Sequence, residues 1–382
     1  MKNLYNTVSQ KAVQHGLERV NTGKLQSLWI ELPGFCNLAC SYCYANGGTP
    51  EFPEKLLDWA VYESILTQAK AMGVDSIGIP GAGEPLLPGS NFDLTMRFLN
   101  RCAELGFYVT LFTTGEFITP ELAARLFELP VEVMLKGNTL DEQKQDRFVS
   151  DPSRNRMKVG YGKARNEAIE ILIKAGFADE AKCQAMFGRK SRMALVTSIM
   201  TEEDSIGGLS NYAEMVEILR FCRNRNIIFD CDSVLKRGRG AKCSLCTDDA
   251  QVKAKLEELQ AIDQVEFGNS WELSQSYIGT VCDRYMHHMY VSQYGQIRPC
   301  IGAMDVDLGN VRETSLSQAW SSAEMQIIRG RKYGGVCGHE CKNFAEKKCN
   351  SCLGRRTEIL TNASLLEKGE VSCIGCWNFQ KK

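Results

Sequence analysis

The stretch Cys36-Asn-Leu-Ala-Cys40-Ser-Tyr-Cys43 puts three thiols in eight residues, with three and then two residues between them and Tyr42 before the last. It follows an apolar run, Leu28-Trp-Ile-Glu-Leu32, and a Pro33-Gly34 turn, so the thiols sit on a loop after an expected strand. Three soft thiolates on one loop can hold three corners of an iron–sulfur cube. The fourth iron is then open to a small molecule that receives an electron. The bland alternatives are a zinc site or three unrelated thiols. Zinc usually takes paired ligands completed elsewhere by another pair, which an odd triplet fits poorly.

A second cysteine system occupies the C-terminal third. Cys282, Cys300, Cys337, Cys341, Cys349, Cys352, Cys373 and Cys376 make eight, the number that fully ligates two 4Fe–4S clusters. Between Cys282 and Cys300, Gly295 marks a turn between the apolar runs Met289–Val291 and Ile297, which predicts a hairpin with a thiol on each side. A zinc ribbon over Cys349–Cys376 is the competing reading. Cys243 and Cys246 are surplus to the eight, whereas Cys102, Cys183, Cys222 and Cys231 are isolated and read as packing residues. His287, His288 and His339 lie among the ligands and read as satisfied hydrogen-bonding groups.

Composition narrows the setting. The 382 residues allow one large domain or two ordinary ones, and a net charge of −1 provides no basic field for nucleic acid. The N-terminus, Met1–Gln10, lacks an apolar signal core, and no run of about 18 apolar residues predicts a membrane span. Seventeen cysteines without a secretion signal read as metal ligands in a reducing compartment. The expectation is a cytoplasmic, oxygen-sensitive protein that uses neither membrane nor nucleic acid.

The elements that must position these residues follow a repeated β-α pattern. Strands are expected near Leu25–Leu32, Ser76–Pro80, Phe107–Phe112, Val131–Leu135, Met193–Met200 and Ile227–Cys231. Helices are expected near Glu54–Met72, Phe92–Leu105, Pro120–Leu129, Arg165–Ala175 and Tyr212–Arg225, with Thr119 and Asn211 as caps at helix starts and Gly106 and Gly176 at ends. Six units in place of eight imply an α/β fold, a partial (β/α)6 barrel with its site at the strand C-termini, followed by a cysteine-rich domain. The longer connection from Ser150 to Arg192 carries Lys158, Arg165, Lys182, Arg189, Lys190 and Arg192 and reads as a solvated helical face, or more sharply as a lid. On the sixth strand, Asp230 and Asp232 share one face and are the candidate catalytic acids, able to bind a substrate hydroxyl or amine or to take a proton.

The C-x3-C-x2-C motif with its preceding aromatic resembles the radical S-adenosylmethionine (radical SAM) superfamily. That resemblance implies a 4Fe–4S cluster on Cys36, Cys40 and Cys43, with SAM chelating the open iron. Reductive cleavage would give a 5′-deoxyadenosyl radical that takes a hydrogen atom from substrate. Gly81-Ala82-Gly83-Glu84 lies where the family's Gly-Gly-Glu motif holds the SAM amino group, with Ala82 where a Gly is common. The ends of the third and fourth strands, at Thr113 and at Lys136 and Asn138, resemble the family's contacts to the methionine carboxylate and ribose, and Tyr42 belongs to the same pocket. Ser198 and Asn211 are candidates for the same ligand, although Asn211 equally fits a helix cap.

The segment from Cys282 through Asp307-Leu-Gly-Asn310 and Ser317–Trp320 resembles the SPASM auxiliary-cluster domain, although the later spacings C-x3-C-x7-C-x2-C depart from the family's pattern. Together these imply an N-terminal extension over 1–24, a radical SAM core over 25–240 and a SPASM-like domain over 241–382. Two auxiliary clusters and a flavodoxin- or ferredoxin-type reductant follow from the resemblance. The substrate is expected to be a peptide or protein; a small polar metabolite is the alternative, since residues 1–24 leave no room for a leader-binding domain. A non-catalytic electron-transfer protein is the reading from another class.

Overall fold

A computed structural model describes residues 23–48, 55–201, 209–235, 237–242, 249–271, 284–303 and 306–329. Its described residues form two compact units. One holds 32–48 and 78–271; the other holds 23–31, 55–77 and 284–329.

The larger unit is built on parallel strands: β3 (Tyr108–Thr113), β4 (Val131–Lys136), β5 (Met193–Ile199) and β6 (Ile228–Ser233). Their apolar runs are buried on both faces, as parallel strands covered by helices require. Helices α2 (Ser90–Glu104), α3 (Pro120–Glu128), α4 (Glu142–Phe148), α5 (Tyr161–Ala175), α6 (Glu180–Phe187) and α7 (Met215–Arg223) occupy the connections, and α8 (Asp249–Phe267) packs on α7. Thr119 caps α3 as expected, accepting from Leu122 N at 3.2 Å. Helix α5 starts four residues before the expected Arg165. The Asp146 carboxylate, in the last turn of α4, accepts from Gly160 N at 2.6 Å and Gly162 N at 2.7 Å, a cap supplied from another helix.

The basic connection is mostly not a solvated face. Arg165, Arg189 and Arg192 are buried, while Lys182 and Lys190 are exposed. Arg192 stacks among Phe127, Phe177 and Phe187, with its guanidinium 4.4–5.0 Å from the ring centres. It donates to the carbonyls of Phe127 at 2.8 Å, Leu129 at 2.6 Å and Val131 at 2.6 Å, closing the turn that leads into β4. Arg189 pairs with Glu132, a carboxylate buried inside β4 that also accepts from Thr110 Oγ1 at 2.7 Å. A buried charge demands partners of this kind.

In the other unit, β1 (Ser27–Ile30) pairs in parallel with β7 (His288–Val291), Ser27 opposite His288. β8 (Ile297–Arg298) returns antiparallel to β7 through the expected turn, where Gly295 has φ of +90°. Strand β2 (Ser76–Ile79) is buried along its whole length. Helix α1 (Trp59–Ala71) donates a hydrogen bond from the Tyr62 hydroxyl to the Glu31 carbonyl at 2.9 Å. The Glu31 carboxylate accepts from Gln293 N at 3.0 Å. Short helices α9 (Leu316–Ser321) and α10 (Ala323–Arg329) follow, the first opened by a Ser315–Gln318 capping box.

The Arg192 substitution tests this account of the basic connection. Arg192→Met keeps apolar contact with the three rings but leaves carbonyls of Phe127, Leu129 and Val131 without their donor. A loss of about 3 kcal/mol or more in urea unfolding is expected; a surface arginine would cost well under 1 kcal/mol.

Candidate functional site

The three thiols are half-buried on a loop held mainly through its backbone. The Phe35 carbonyl, one residue before Cys36, accepts from Glu84 N at 3.1 Å and from Asn91 Nδ2 at 2.9 Å. Ala39 N donates to Val149 O at 2.8 Å, and Arg156 Nη2 donates to the carbonyls of Cys36 at 3.3 Å and Leu38 at 3.1 Å. Asn37 Nδ2 donates to Glu116 at 2.6 Å, and Glu116 pairs with Lys158 at 2.5 Å. Leu38 packs on Val149 and Tyr161, and Tyr42 on Phe148, Met200 and Val234. The side chains at the loop's apolar positions anchor it, and Cys36 and Cys40 pack against the same clusters.

The thiol electrostatics follow from this burial. Desolvation pushes Cys40 up to about 11, with the Cys43 charge adding to it and Tyr42, Lys136 and Arg239 opposing. Cys36 is pushed higher still, first by burial and then by the Cys40 charge. Such thiols become thiolates when a cation replaces their protons, which is what a metal cluster brings. Cys43 Sγ accepts from Gly47 N at 3.1 Å, the kind of amide contact that stabilises a ligating sulfur. Among the described residues no three His, Cys, Asp or Glu side chains converge on a point that one ion could fill. Three thiols on one loop are a donor set that suits a cluster, which takes one thiolate per corner.

Directly behind the loop lies the turn Gly81-Ala82-Gly83-Glu84 at the end of β2. Gly83 is there because the loop passes against it: a Cβ would lie 2.7 Å from the Phe35 carbonyl oxygen and overlap the Gly34 backbone. Glu84 is buried, and its carboxylate accepts from Thr113 Oγ1 at 2.5 Å, Thr114 N at 2.7 Å and Leu86 N at 3.0 Å. Burial pushes this carboxyl up while those hydrogen bonds oppose the shift. Glu84 thus joins the ends of β2 and β3, and three of its roughly four lone-pair sites are taken. Asn91, the residue that completes this junction, also donates to Glu84 O at 3.0 Å.

The strand ends complete the site. Lys136 Nζ donates to Ser198 Oγ at 2.7 Å and lies 4.9 Å from the centre of the Tyr42 ring. Burial pulls its ammonium down to about 8, against the attraction of Cys40, Asp230, Cys43 and Asp232. It therefore sits between the thiol loop and the strand-six acids. Asp232 is in register with Ser198 and Asp230 with Val196, so both acids share a face as their spacing implied. Asn138 Oδ1 accepts from Ser198 N at 3.0 Å. Asn211 does not cap a helix with its side chain: it donates to the carbonyls of Asn138 at 2.8 Å and Ser198 at 2.9 Å and accepts from Met200 N at 2.9 Å. These two asparagines brace the ends of β4 and β5.

Cys300 follows β8 and is half-buried. Cys282, Cys337, Cys341, Cys349, Cys352, Cys373 and Cys376 lie outside the described residues, as do Cys243, Cys246 and His339. Cys102, Cys183, Cys222 and Cys231 are buried, as packing thiols should be.

Comparison with known proteins matches residues 30–190 to the radical SAM superfamily and residues 282–353 to SPASM, an iron–sulfur cluster-binding domain. The chain belongs to the radical SAM superfamily. It is an enzyme of that family with a SPASM domain at its C-terminal end. An AdoMet-dependent heme synthase of Nitratidesulfovibrio vulgaris is 24% identical over 348 residues, 85% of this chain and 86% of that one. The sporulation killing factor maturation protein SkfB of Bacillus subtilis is 23% identical, over 79% of this chain and 66% of that one. Among solved structures, Streptococcus suis SuiB bound to S-adenosylmethionine aligns with a TM-score of 0.61 at 19% identity, covering 90% of this chain and 76% of that one. SuiB bound to its precursor peptide SuiA aligns with a TM-score of 0.60 at 19% identity, over 92% and 77%. At this identity these structures establish the shared α/β fold, and the family itself brings a 4Fe–4S cluster and SAM as its cofactors.

Sequence reasoning missed Asn91, Glu116, Arg156 and Arg239. Asn91 had a readable signal: with Thr95 it puts polar groups on the stripe of α2 that buries Phe98, Leu99 and Cys102. The other three act across long sequence separations and leave no local trace. Glu84→Gln places an amide donor opposite either Thr114 N or Leu86 N, which bond to different oxygens of the carboxylate and each need an acceptor. A loss of about 2 kcal/mol in stability and weaker SAM binding by calorimetry are expected, with iron content retained.

Proposed function

We propose that this enzyme cleaves SAM reductively at a cluster on Cys36, Cys40 and Cys43 and removes hydrogen from a peptide or protein. The observation that carries this reading is the junction at Phe35, which packs the thiol loop directly on the Gly81–Glu84 turn. A cluster held there by Cys36, Cys40 and Cys43 would supply one electron to SAM. The chain's own residues orient the ligand: Gly81, Ala82 and Gly83 admit it close to backbone, Glu84 and Thr113 fix the turn, and Lys136 offers a cation to a carboxylate. Tyr42 walls the pocket, and Asn138, Ser198 and Asn211 set its far edge. Asp230 and Asp232 face the substrate and accept the proton released when a substrate radical is oxidised.

A radical core over 25–240 and a SPASM-like region over 241–382, after an extension over 1–24, divide the work. Cys282, Cys300, Cys337, Cys341, Cys349, Cys352, Cys373 and Cys376 hold two auxiliary clusters that take electrons onward from the substrate or anchor it. The reductant is of flavodoxin or ferredoxin type, and the setting is the cytoplasm. No helix among the described residues is long and apolar enough to cross a membrane.

SkfB, named as a maturation protein, and SuiB bound to a precursor peptide support the peptide reading. The heme synthases support a second one, a small molecule as substrate. In a reconstituted, reduced preparation, a peptide encoded beside the gene should stimulate 5′-deoxyadenosine formation and change in mass. Stimulation by a small molecule alone would favour the second reading.

Two substitutions separate the steps. Cys36→Ala should abolish 5′-deoxyadenosine formation while iron remains on the C-terminal cysteines; undiminished cleavage would refute the cluster assignment. Asp232→Asn should retain SAM cleavage and lower product formation by about 10²-fold, read by mass spectrometry of the substrate.

A further inference from the structure

The segment Gly238-Arg239-Gly240 closes over the end of the thiol loop. Arg239 N donates to the Cys43 carbonyl at 2.9 Å and Gly240 N to the same oxygen at 3.3 Å. Gly238, at φ of +54°, lies so close that a Cβ would be 2.8 Å from that oxygen and would overlap the Tyr44 carbonyl. The Arg239 side chain then runs to Gly47, where any Cβ would overlap its Nη2. The amide of Gly47 is also the group that bonds Cys43 Sγ, at 3.1 Å. The guanidinium is thereby placed beside the sulfur of Cys43, and its charge acts on the Cys40 thiol.

All three guanidinium nitrogens, Nε, Nη1 and Nη2, are shut off from solvent and make no hydrogen bond among the described residues. Five N–H donors on a full charge are costly to bury without acceptors. Buried Arg192, by contrast, donates to carbonyls on three residues, and buried Arg189 and Arg165 each keep at least one partner, Glu132 and the Thr139 carbonyl. Arg239 instead lies by Gly47 and the Cys43 carbonyl, next to the thiol loop. An anionic group there that accepts several hydrogen bonds would satisfy it.

We propose that Arg239 is a positioning residue that donates hydrogen bonds to the thiolate and sulfide edge of the cluster at Cys40 and Cys43 and stabilises its reduced state. The inference rests on the cluster assignment above. Three thiolates outweigh the charge of an oxidised cube by one, and the arriving electron makes the site more negative still. A fixed cation without competing partners favours that second state, so it raises the potential at which the cluster accepts its single electron. No bond is made or broken in this step. The electron comes from the external reductant, which is dithionite in the assay.

The test is a redox titration of the full-length, reconstituted protein followed by electron paramagnetic resonance. The signal that changes when SAM is added identifies the cluster of the thiol loop. In Arg239→Gln, the reduced-to-oxidised ratio of that cluster at a fixed potential should fall about tenfold, roughly 59 mV for one electron. Arg239→Lys, which keeps the charge, should recover part of the shift, and iron content should match the parent protein in both.

An unchanged potential in both iron-loaded variants overturns the proposal. An unchanged potential with tenfold weaker SAM binding also overturns it, and assigns the guanidinium to the SAM carboxylate. If neither variant holds iron at the loop but both unfold at the parent temperature, Arg239 is needed for assembly and the tuning role is refuted. Absence of any SAM-responsive signal in the parent protein defeats the cluster assignment itself, and this inference with it.

Discussion

A single carbonyl, that of Phe35, organises the candidate site. It accepts both the Glu84 amide and the Asn91 side chain, and so fixes the residue before Cys36 to the turn after β2. Gly83 makes the approach possible by having no side chain where the Gly34 and Phe35 backbone passes. Glu84 then carries the constraint to the end of β3 through Thr113 and Thr114. Because these contacts involve backbone groups and one buried carboxylate, the relative placement of thiol loop and ligand turn does not depend on any flexible surface chain. Chemistry between a cluster and a bound ligand needs that fixed spacing.

Charge is arranged around this frame in a consistent way. The thiols are buried and expensive to ionise without metal, as the upward shifts of Cys36 and Cys40 show. Two cations, Lys136 and Arg239, lower that cost from either side of Tyr42 and Cys43. Lys136 is in turn within reach of the β6 acids. The thiols are thus flanked by cations, and the acids of β6 act on Lys136 in turn.

The smaller unit shows a different constraint. The hairpin β7–β8, expected as the opening of a separate auxiliary domain, adds its first strand in parallel to β1, with a side-chain contact between Ser27 and His288 spanning 261 residues of sequence. Trp29 and His288 meet edge to face at 5.6 Å, and Arg284 lies over the same indole at 4.9 Å. An unpaired edge on β1 would expose its backbone groups, and the parallel partner satisfies them.

The sequence alone determined what depends on covalent spacing. Cys36, Cys40 and Cys43 are fixed on one loop by three and two intervening residues, so the family they mark was readable from a single line of text. The six strands of the β-α pattern and the helices between them were readable for the same reason, since periodicity and caps such as Thr119 act within a few residues, but the short helices α4 and α6 were not. Tertiary structure decided which polar groups are inside. Arg165, Arg189 and Arg192 look like surface charges in sequence and are buried because Thr139, Glu132 and three distant carbonyls receive them. Asn211 is a plausible cap in sequence but becomes a brace, because Asn138 and Ser198 present carbonyls to it only once β4 and β5 pair. Arg239 was one basic residue in a glycine-rich turn until folding set it beside Cys43. Hydrogen-bond partners are chosen by three-dimensional proximity, and nothing in local sequence records which carbonyl or carboxylate will arrive from tens of residues away or more.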